Sequence, residues 1–314
     1  MQVVFFGSPS FSLPALEALL DAGHRVPLVV SQPGKPVGRK GDVTDPPVAV
    51  RAKSLGIHVF QPSTLKDDAA VARLAEVRAD VFVVVAYGKI LAQRVLDLPR
   101  LGCLNVHGSL LPRWRGASPV QAAILAGDSV TGVSIMKMDA GMDTGPVYAL
   151  RETRIGEDET AEELGGRLSQ VGADLLVETL RFLEGEGGNA LPQNSSLATA
   201  CPKISREDAR VDWARPALEN VRRGRAYTPW PGLFTFRRKT RLKLSSLSLV
   251  ARDASGARGS KESPGVLLEA GSRVVVACGE GAVSIATIQA EGRRALPAAE
   301  FVRGERVSPG ERWG

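Results

Sequence analysis

The first 180 residues alternate between short apolar runs and segments whose apolar residues recur every three or four positions. The runs at 2–6 and 25–31 flank a helical pattern at 12–22, which predicts a β–α–β beginning. Similar patterns then predict helices at 47–55, 67–77, 118–126 and 160–184, and strands at 58–60, 80–86, 131–138 and 145–153. The strand at 80–86 has no polar side, as expected where both faces of a parallel sheet are covered. We predict a Rossmann-like α/β domain with an open parallel sheet over residues 1–186.

The pattern changes after residue 186. Residues 187–204 are rich in Gly, Asn, Ser and Ala, which is typical of a linker. A helical pattern at 208–225 is followed by short strand patterns at 233–237, 241–249, 265–269, 273–278 and 282–289. Short strands separated by Gly-containing turns are typical of a small open β-barrel. We therefore predict an OB-like β-barrel domain over residues 205–314.

Positive charge is concentrated in this second part. Residues 205–314 hold 20 Lys and Arg against 12 Asp and Glu, a net charge of +8, whereas residues 1–204 have a net charge of −2. Such a domain favours a polyanionic partner, because neutralising phosphates releases counterions, although a solvated basic surface explains the charge equally well. With few aromatic residues for base stacking, we favour contacts to a duplex backbone. The candidate contacts cluster around Trp230 and Pro231: Arg222, Arg237, Arg238, Lys239, Arg241 and Lys243.

Composition excludes several classes of protein. The spacing of Cys103, Cys201 and Cys278 suggests neither a disulfide framework nor a zinc site, so we expect no metal. No apolar run approaches the roughly 18 residues that span a bilayer, and the chain opens on a strand pattern without a cleavable basic leader. GSPSF at 7–11 lacks the glycine spacing of a dinucleotide site. We expect a monomeric cytoplasmic protein that binds no membrane.

Candidate catalytic residues lie in two stretches that contain glycine. Asn105 and His107 are two positions apart at the end of an apolar strand pattern, so their side chains leave the same face. Asp143 lies in the turn DAGMDTG at 139–145. An imidazole that a carboxylate orients, beside an amide that stabilises a developing oxyanion, suits acyl transfer to an amine. The alternatives are a hydrogen-bonded structural histidine and an aspartate that only shapes its own turn.

At these residues the chain resembles the 10-formyltetrahydrofolate-dependent formyltransferases. The resemblance is carried by NVHGSLLPRWRGASP at 105–119 and by DAGMDTG, and it extends over nearly the whole chain. Supporting stretches are FFGSPSFSLPALEAL at 5–19, SQPGKPVGRKG at 31–41, DVFVVVAYGKIL at 80–91 and AYTPWPGLFT at 226–235. The stretches at 31–41 and 226–235 resemble members that formylate methionyl-initiator tRNA. The resemblance implies the formyltransferase fold, 10-formyltetrahydrofolate as formyl donor, methionyl-initiator tRNA as partner and a location in the bacterial cytoplasm.

Ligands of open parallel sheets bind beyond the carboxyl ends of the strands, so residues 86–91 and 105–109 should border one cleft. The resemblance implies that backbone groups at 86–91 receive the pterin ring and that Ile90 and Leu91 form an apolar wall. Plain packing residues that need no ligand remain an equal alternative. The folate-binding residues implied are Phe6, Ala86, Tyr87, Gly88, Ile90, Leu91, Ser109, Leu110, Leu111 and Pro112.

Residues 32–47 are rich in Pro and Gly, and we expect an exposed loop without regular structure. The resemblance implies that this loop reaches the tRNA acceptor stem through Arg39 and Lys40. Asp42 and Asp45 depart from the more basic pattern of the family. A surface loop without a partner is the alternative.

The hypothesis from these residues is direct formyl transfer without a covalent intermediate. The attacking amine must be neutral, and an α-amino group titrates at about 7.7–8.0, so a modest base suffices. His107 would transfer protons, Asp143 would orient it, and Asn105 would donate to the tetrahedral oxyanion. Two rivals remain: a formyltransferase for a small amine such as glycinamide ribonucleotide or an amino-sugar nucleotide, and a catalytically inactive tRNA-binding protein.

Overall fold

The computed structural model describes residues 1–37, 42–185, 188–250 and 262–314. The chain divides into two compact units. Unit 1 comprises Met1–Pro119, Ser129–Arg154 and Leu164–Pro202, and unit 2 comprises Val120–Asp128, Ile155–Glu163 and Lys203–Gly314. The boundaries at 186 and 205 stay a prediction, but residues 188–202 of the expected linker lie in unit 1.

The regular elements alternate as the apolar patterns indicate. The strands are β1 (Gln2–Gly7), β2 (Arg25–Val30), β3 (Lys35–Val37), β4 (Asp42–Thr44), β5 (His58–Phe60), β6 (Val81–Val85), β7 (Cys103–His107), β8 (Arg115–Gly116), β9 (Val130–Lys137), β10 (Val147–Arg154), β11 (Ala200–Cys201), β12 (Phe234–Arg237), β13 (Thr240–Leu249), β14 (Leu267–Ala270), β15 (Val274–Ala277), β16 (Ala282–Ala290) and β17 (Leu296–Pro297). The α-helices are α1 (Leu13–Asp21), α2 (Pro47–Ser54), α3 (Asp68–Ala75), α4 (Gln93–Leu96), α5 (Pro119–Ala126), α6 (Ala161–Gly185), α7 (Ala217–Ala226) and α8 (Ala298–Gly304). Among the described residues, no helix combines the length and the apolar character needed to cross a membrane.

A seven-stranded sheet in the order β10-β9-β7-β6-β1-β2-β5 forms the centre of unit 1. The strands from β7 to β5 are mutually parallel, and β9 and β10 add an antiparallel edge. All five residues of β6 are buried, which confirms the expectation that both faces are covered. The carboxyl ends of β1, β6 and β7 are neighbours, so the segments that follow them meet at one edge of the sheet.

A hairpin replaces part of the irregular loop expected at 32–47. Strands β3 and β4 pair antiparallel, with Pro36 opposite Val43. A two-stranded ribbon has two free edges, which is where a residue without a backbone N–H is tolerated. The expectation of no regular structure was therefore wrong for these strands. Arg39 and Lys40, the candidate nucleic-acid contacts of this segment, lie outside the described residues.

An antiparallel sheet in the order β12-β13-β16-β15-β14, with β17 beside β16, forms the core of unit 2. This confirms the OB-like expectation of short strands in an open, curled sheet. The predicted helix at 208–225 is partly wrong, since α7 begins only at Ala217. The Asp212 carboxylate accepts a hydrogen bond from the Ala214 N–H, and Pro216 occupies the N-cap of α7. This local turn and the proline delay the helix, while the buried Trp213 indole donates to Thr235.

Candidate active site

Asn105 and His107 lie on β7, between β6 and β9, and their side chains share one face of the sheet. His107 is 5 % exposed and Asn105 is half-buried. Asp143 lies in the turn between β9 and β10, with a φ of +53°. Aspartate is one of the few residues that adopt this left-handed conformation at modest cost. The turn thereby brings a carboxylate from a second loop to the polar face of β7.

The Asp143 carboxylate lies next to both other candidate residues, Asn105 and His107. Its Oδ1 accepts a hydrogen bond from Asn105 Nδ2 at 3.4 Å, and its Oδ2 lies 3.7 Å from His107 Nδ1. The backbone N–H of Gly116 donates to the same Oδ2 at 2.8 Å. The other ring nitrogen of His107, Nε2, lies 2.9 Å from the carbonyl oxygen of Trp114. The imidazole is therefore held between a carboxylate and a carbonyl. These two groups fix the orientation of the ring, as proton transfer requires.

Close backbone approaches fix the two loops around this carboxylate. A Cβ at Gly145 would collide with the carbonyl oxygen of Lys137, and a Cβ at Gly116 would collide with that of Cys201. Gly116 also has a φ of +121°, which residues with a side chain rarely adopt. Glycine at these positions therefore lets the Asp143 turn and the Gly116 N–H come within hydrogen-bonding distance.

Three polar contacts of this site could not be expected from the sequence patterns. Trp114 contacts His107 through its carbonyl and Gly116 contacts Asp143 through its N–H, and backbone groups leave no signal in side-chain patterns. Gln193 donates to the carbonyls of Asp143 and Gly145, but it lies in the stretch that composition marked as a linker. Trp114 and Gly116 lie in the motif at 105–119, but nothing in that motif marks their backbone groups, and Gln193 lies in no motif.

Ser134 is a fourth missed residue, and it did leave a signal. It is a polar residue in the otherwise apolar middle of β9, where it is fully buried. Its hydroxyl donates to the Ser109 carbonyl at 2.6 Å and accepts from the Leu111 N–H at 2.9 Å. Ser109 is also fully buried, and its hydroxyl donates to the Arg113 carbonyl at 2.6 Å. That hydroxyl is therefore engaged in holding the loop, which agrees with the hypothesis that no acyl-enzyme forms on it.

The folate candidates divide into exposed and buried residues. Ala86, Gly88 and Ile90 are exposed, and the first two have left-handed backbone conformations that turn the chain after β6. The rings of Phe6 and Tyr87 are enclosed in the core, with centroids 5.5 Å apart, and Leu91 is buried in the same cluster. Burial raises the pKa of the Tyr87 hydroxyl to about 12. The side chains of Phe6, Tyr87 and Leu91 are thus buried beside the exposed backbone, and their assignment as folate contacts stays a prediction.

The loop after β7 carries the remaining folate candidates. Leu111 is buried in a small apolar cluster with Met136 and Val147. Leu110 and Pro112 are half-buried. Their assignment as folate contacts stays a prediction, as does that of the exposed residues after β6.

The three cysteine thiols are unsuited to nucleophilic catalysis. All three are buried, and burial raises the pKa of Cys103 to about 12 and that of Cys278 to about 11. Cys201 lies next to the active-site loop, and burial raises its pKa also. A thiol with a raised pKa stays protonated near neutral pH and is a poor nucleophile.

The basic residues of unit 2 have different environments. The guanidinium of Arg241 lies 3.8 Å above the ring of Phe234, and that of Arg210, which sequence patterns did not single out, lies 5.3 Å above Phe236. Lys243 is half-buried on the same strand as Arg241, and Arg238 and Lys239 are exposed at the turn between β12 and β13. The half-buried side chain of Arg222 packs against the backbone of Gly127. Among the nucleic-acid contacts predicted from the sequence, the outward charges are therefore those on β13 and the turn that precedes it.

Arg237 does not belong with these outward charges. It is 8 % exposed, and its guanidinium donates to Glu311 at 2.6 Å and contacts Glu305 at 3.4 Å. A cation enclosed by two carboxylates is not available to a phosphate. The interpretation of Arg237 as a nucleic-acid contact is corrected here to a structural role, which is to hold the C-terminal residues on the sheet.

Replacing Arg237 with methionine should lower the free energy of unfolding by about 3 kcal/mol, because it leaves two carboxylates without their buried cation. The Arg237 hydrogen bond lowers the pKa of Glu311 below 4.5. Its contribution is therefore present above pH 4.5 and is lost as the pH falls through the folded-state pKa. Urea unfolding followed by tryptophan fluorescence should show a shallower acid dependence in Arg237→Met than in the wild type. Arg238→Met at the exposed turn is the matched control, and equal effects of both changes would contradict the structural role.

Family comparisons agree with this architecture. Residues 1–180 match the formyl transferase family, and residues 203–306 match the formyl transferase C-terminal domain. A methionyl-tRNA formyltransferase of Brucella anthropi is 47% identical over 313 residues, which cover 98% of this chain and 99% of the relative. One of Brucella melitensis is 44% identical over 315 residues, again 98% of this chain and 99% of the relative.

Solved structures share the fold at low identity. The N-formyltransferase of Helicobacter canadensis, in complex with folinic acid and dTDP-3-aminofucose, has a TM-score of 0.67 and 17% identity and covers 91% of this chain and 99% of its own. A methionyl-tRNA formyltransferase of Clostridium thermocellum has a TM-score of 0.56 and 16% identity, with coverages of 80% and 94%. The two family matches and the near-complete alignment with the Brucella proteins lead to one conclusion: this chain belongs to the methionyl-tRNA formyltransferase family.

Proposed function

We propose that this protein transfers the formyl group of 10-formyltetrahydrofolate to the α-amine of methionyl-initiator tRNA. The observation that carries the proposal is the convergence of Asn105, His107 and Asp143 on one face of β7, in a chain of this family. The expected location in the bacterial cytoplasm is consistent with this reaction. The monomeric state stays a prediction.

The reaction proceeds by attack of the neutral amine nitrogen on the formyl carbon. A new C–N bond forms, the carbonyl oxygen becomes an oxyanion, and the Asn105 amide donates to that oxyanion. The amine loses one proton, and the N10 atom of the folate gains one as its bond to the formyl carbon breaks. His107 carries this proton from one nitrogen to the other, which conserves both charge and atoms overall.

Asp143 and Trp114 determine how the imidazole takes part. With Nε2 bonded to the Trp114 carbonyl, the nitrogen that exchanges a proton is Nδ1. Asp143, 3.7 Å away, stabilises the positive charge that the ring gains during the transfer. The Gly116 N–H keeps the carboxylate in place when the ring returns to its neutral form.

The donor folate would contact the exposed backbone at Ala86 and Gly88, with Ile90 as an apolar wall. Ile90 is 76% exposed, an unusual environment for a large aliphatic side chain. Burying it against an aromatic ring system would remove apolar area from water, which favours binding. Leu110 and Pro112 would border the donor from the loop after β7.

The tRNA backbone would contact the outward basic residues of unit 2. Arg241 and Arg210 are the strongest candidates, because their stacking on Phe234 and Phe236 orients the guanidinium groups before binding. Arg238, Lys239 and Lys243 extend the charge along β13 and its turn. Arg39 and Lys40 remain candidates from the sequence.

The test is to supply purified protein with labelled 10-formyltetrahydrofolate and separate acceptors. Methionyl-initiator tRNA should be formylated efficiently, and free methionine and methionyl-elongator tRNA should be poor acceptors. Raising the salt concentration from 50 to 200 mM should weaken the apparent tRNA affinity on the order of 100-fold if about four phosphates are contacted. Formylation of an amino-sugar nucleotide in place of tRNA, with little salt dependence, would overturn the proposal in favour of the small-amine rival.

A further inference from the structure

Residues 188–202, here called the strap, connect the two loops that surround the Asp143 carboxylate. At one end, Leu191 exchanges two backbone hydrogen bonds with Val147, both at 2.8 Å. At the other end, β11 pairs with β8, and the Thr199 hydroxyl accepts from the Trp114 N–H at 2.9 Å. The strap is therefore attached both to the start of β10, which follows the Asp143 turn, and to the loop that supplies the Trp114 carbonyl.

Gln193 lies between these two attachments and uses its whole amide. The Nε2 group donates to the carbonyl oxygens of Asp143, at 2.9 Å, and Gly145, at 2.7 Å. The Oε1 atom accepts two hydrogen bonds from the Arg115 guanidinium, at 3.0 and 2.8 Å. Two donors and two acceptor sites are all that a glutamine amide offers, so its capacity is filled. One side chain thus links the backbone of the Asp143 turn to the residue before Gly116.

We propose that Gln193 is a positioning residue for the formyl transfer, acting through Asp143. Asp143 lies in a turn in which two carbonyl oxygens, those of Asp143 and Gly145, both accept hydrogen bonds from Gln193. The Asp143 carboxylate must face the Gly116 N–H and the His107 ring at the same time. Gln193 holds the backbone of the Asp143 turn and, through Arg115, the residue next to Gly116. It thereby sets the distance between the Asp143 carboxylate and the His107 ring. The inference rests on the proposed function for its kinetic consequences, but not for its structural ones.

The Gln193→Glu change separates two roles that Gln193 could have, one through its hydrogen bonds and one through its size alone. The Gln193→Glu change keeps the size of the side chain and the acceptor oxygens for Arg115. It removes both donors and directs a carboxylate at two carbonyl oxygens, which repel it. If Gln193 acts through its hydrogen bonds, the Gln193→Glu variant loses activity. If it acts through its size alone, the variant keeps its activity.

The kinetic test compares Gln193→Ala and Gln193→Glu with Gln170→Glu, a matched change at an exposed glutamine of α6. Both Gln193 variants should lose kcat by about 10- to 100-fold with little change in KM for either substrate, since displacements of about 1 Å at a catalytic group cost this much. The control should keep its kcat. The Gln193→Ala change should have little further effect in an Asp143→Ala background, because its effect passes through Asp143.

A second readout needs no substrate. Amide hydrogen exchange at Gly116, whose N–H donates to the Asp143 carboxylate, should accelerate in both Gln193 variants and not in Gln170→Glu. The backbone contacts of Leu191 and Thr199 keep the strap attached, so these variants should fold, which thermal melting checks. Equal losses of kcat with and without Asp143, or unchanged exchange at Gly116, would overturn the inference. Failure of the wild type to formylate tRNA would instead overturn the proposed function and leave the exchange result standing.

Discussion

Replacing His107 with glutamine should lower kcat for formyl transfer by about 10²- to 10⁴-fold, the usual contribution of a positioned acid–base group. The glutamine amide is able to donate to the Trp114 carbonyl as Nε2 does, so the loop keeps one of its contacts. It cannot accept a proton from the attacking amine and deliver it to the folate nitrogen. The expected loss therefore reports the chemistry rather than the fold.

The matched control for this change is His58→Gln. His58 is exposed on β5, at the far edge of the sheet from β9 and β10, and should tolerate the change with its kcat retained. Steady-state kinetics at saturating donor and tRNA would give kcat, and thermal melting would show that both variants fold. A folded His107→Gln protein that loses less than about tenfold in kcat would rule out His107 as the group that transfers the proton.

Replacing Asn105 with alanine should lower kcat by about 100- to 1000-fold, the typical cost of losing one oxyanion donor. The donor acts on charge that develops only in the transition state, so KM for both substrates should change little. The change also removes the 3.4 Å hydrogen bond to Asp143, but the carboxylate retains the shorter bond from Gly116. The loss should thus come mainly from the oxyanion.

Asn189→Ala, at an exposed position of the strap, is the matched control for the loss of an asparagine amide. It should leave kcat unchanged. A raised KM with an unchanged kcat in Asn105→Ala would mean that the amide binds the ground state of the substrate. That outcome would contradict the role of Asn105 in stabilising the oxyanion.

The apolar periodicity was a good guide to the elements that build the sheet. Strand β6 was predictable because a segment buried on both faces carries no polar residue. The polar face of β7 was predictable because Asn105 and His107 are two positions apart at the end of an apolar run. The same periodicity failed at α7, where Asp212 and Pro216 impose a local turn inside an apparent helical repeat. It also failed at β3 and β4, which are three residues long each and pair even though β3 contains Pro36.

The basic residues show why charge alone predicts position poorly. Arg237 and Arg238 are adjacent in the sequence, yet one is enclosed by Glu305 and Glu311 and the other is exposed. Arg237 is the last residue of β12, whereas Arg238 lies in the turn that follows it, and the acidic partners of Arg237 come from about 70 positions further along the chain. No local pattern contains that information.

The sequence by itself determined the two-part organisation and the open parallel sheet, and it predicted the amide, imidazole and carboxylate as the catalytic groups, because each depends on side-chain type and local spacing. Only the tertiary structure decided that the Asp143 carboxylate faces His107 and accepts a hydrogen bond from the Gly116 N–H. It also decided that Gln193 joins the loops around this carboxylate. These contacts use backbone groups and residues up to 78 positions apart, such as Arg115 and Gln193. Backbone hydrogen-bonding groups are the same in every residue except proline, so only the folded chain determines which of them meet.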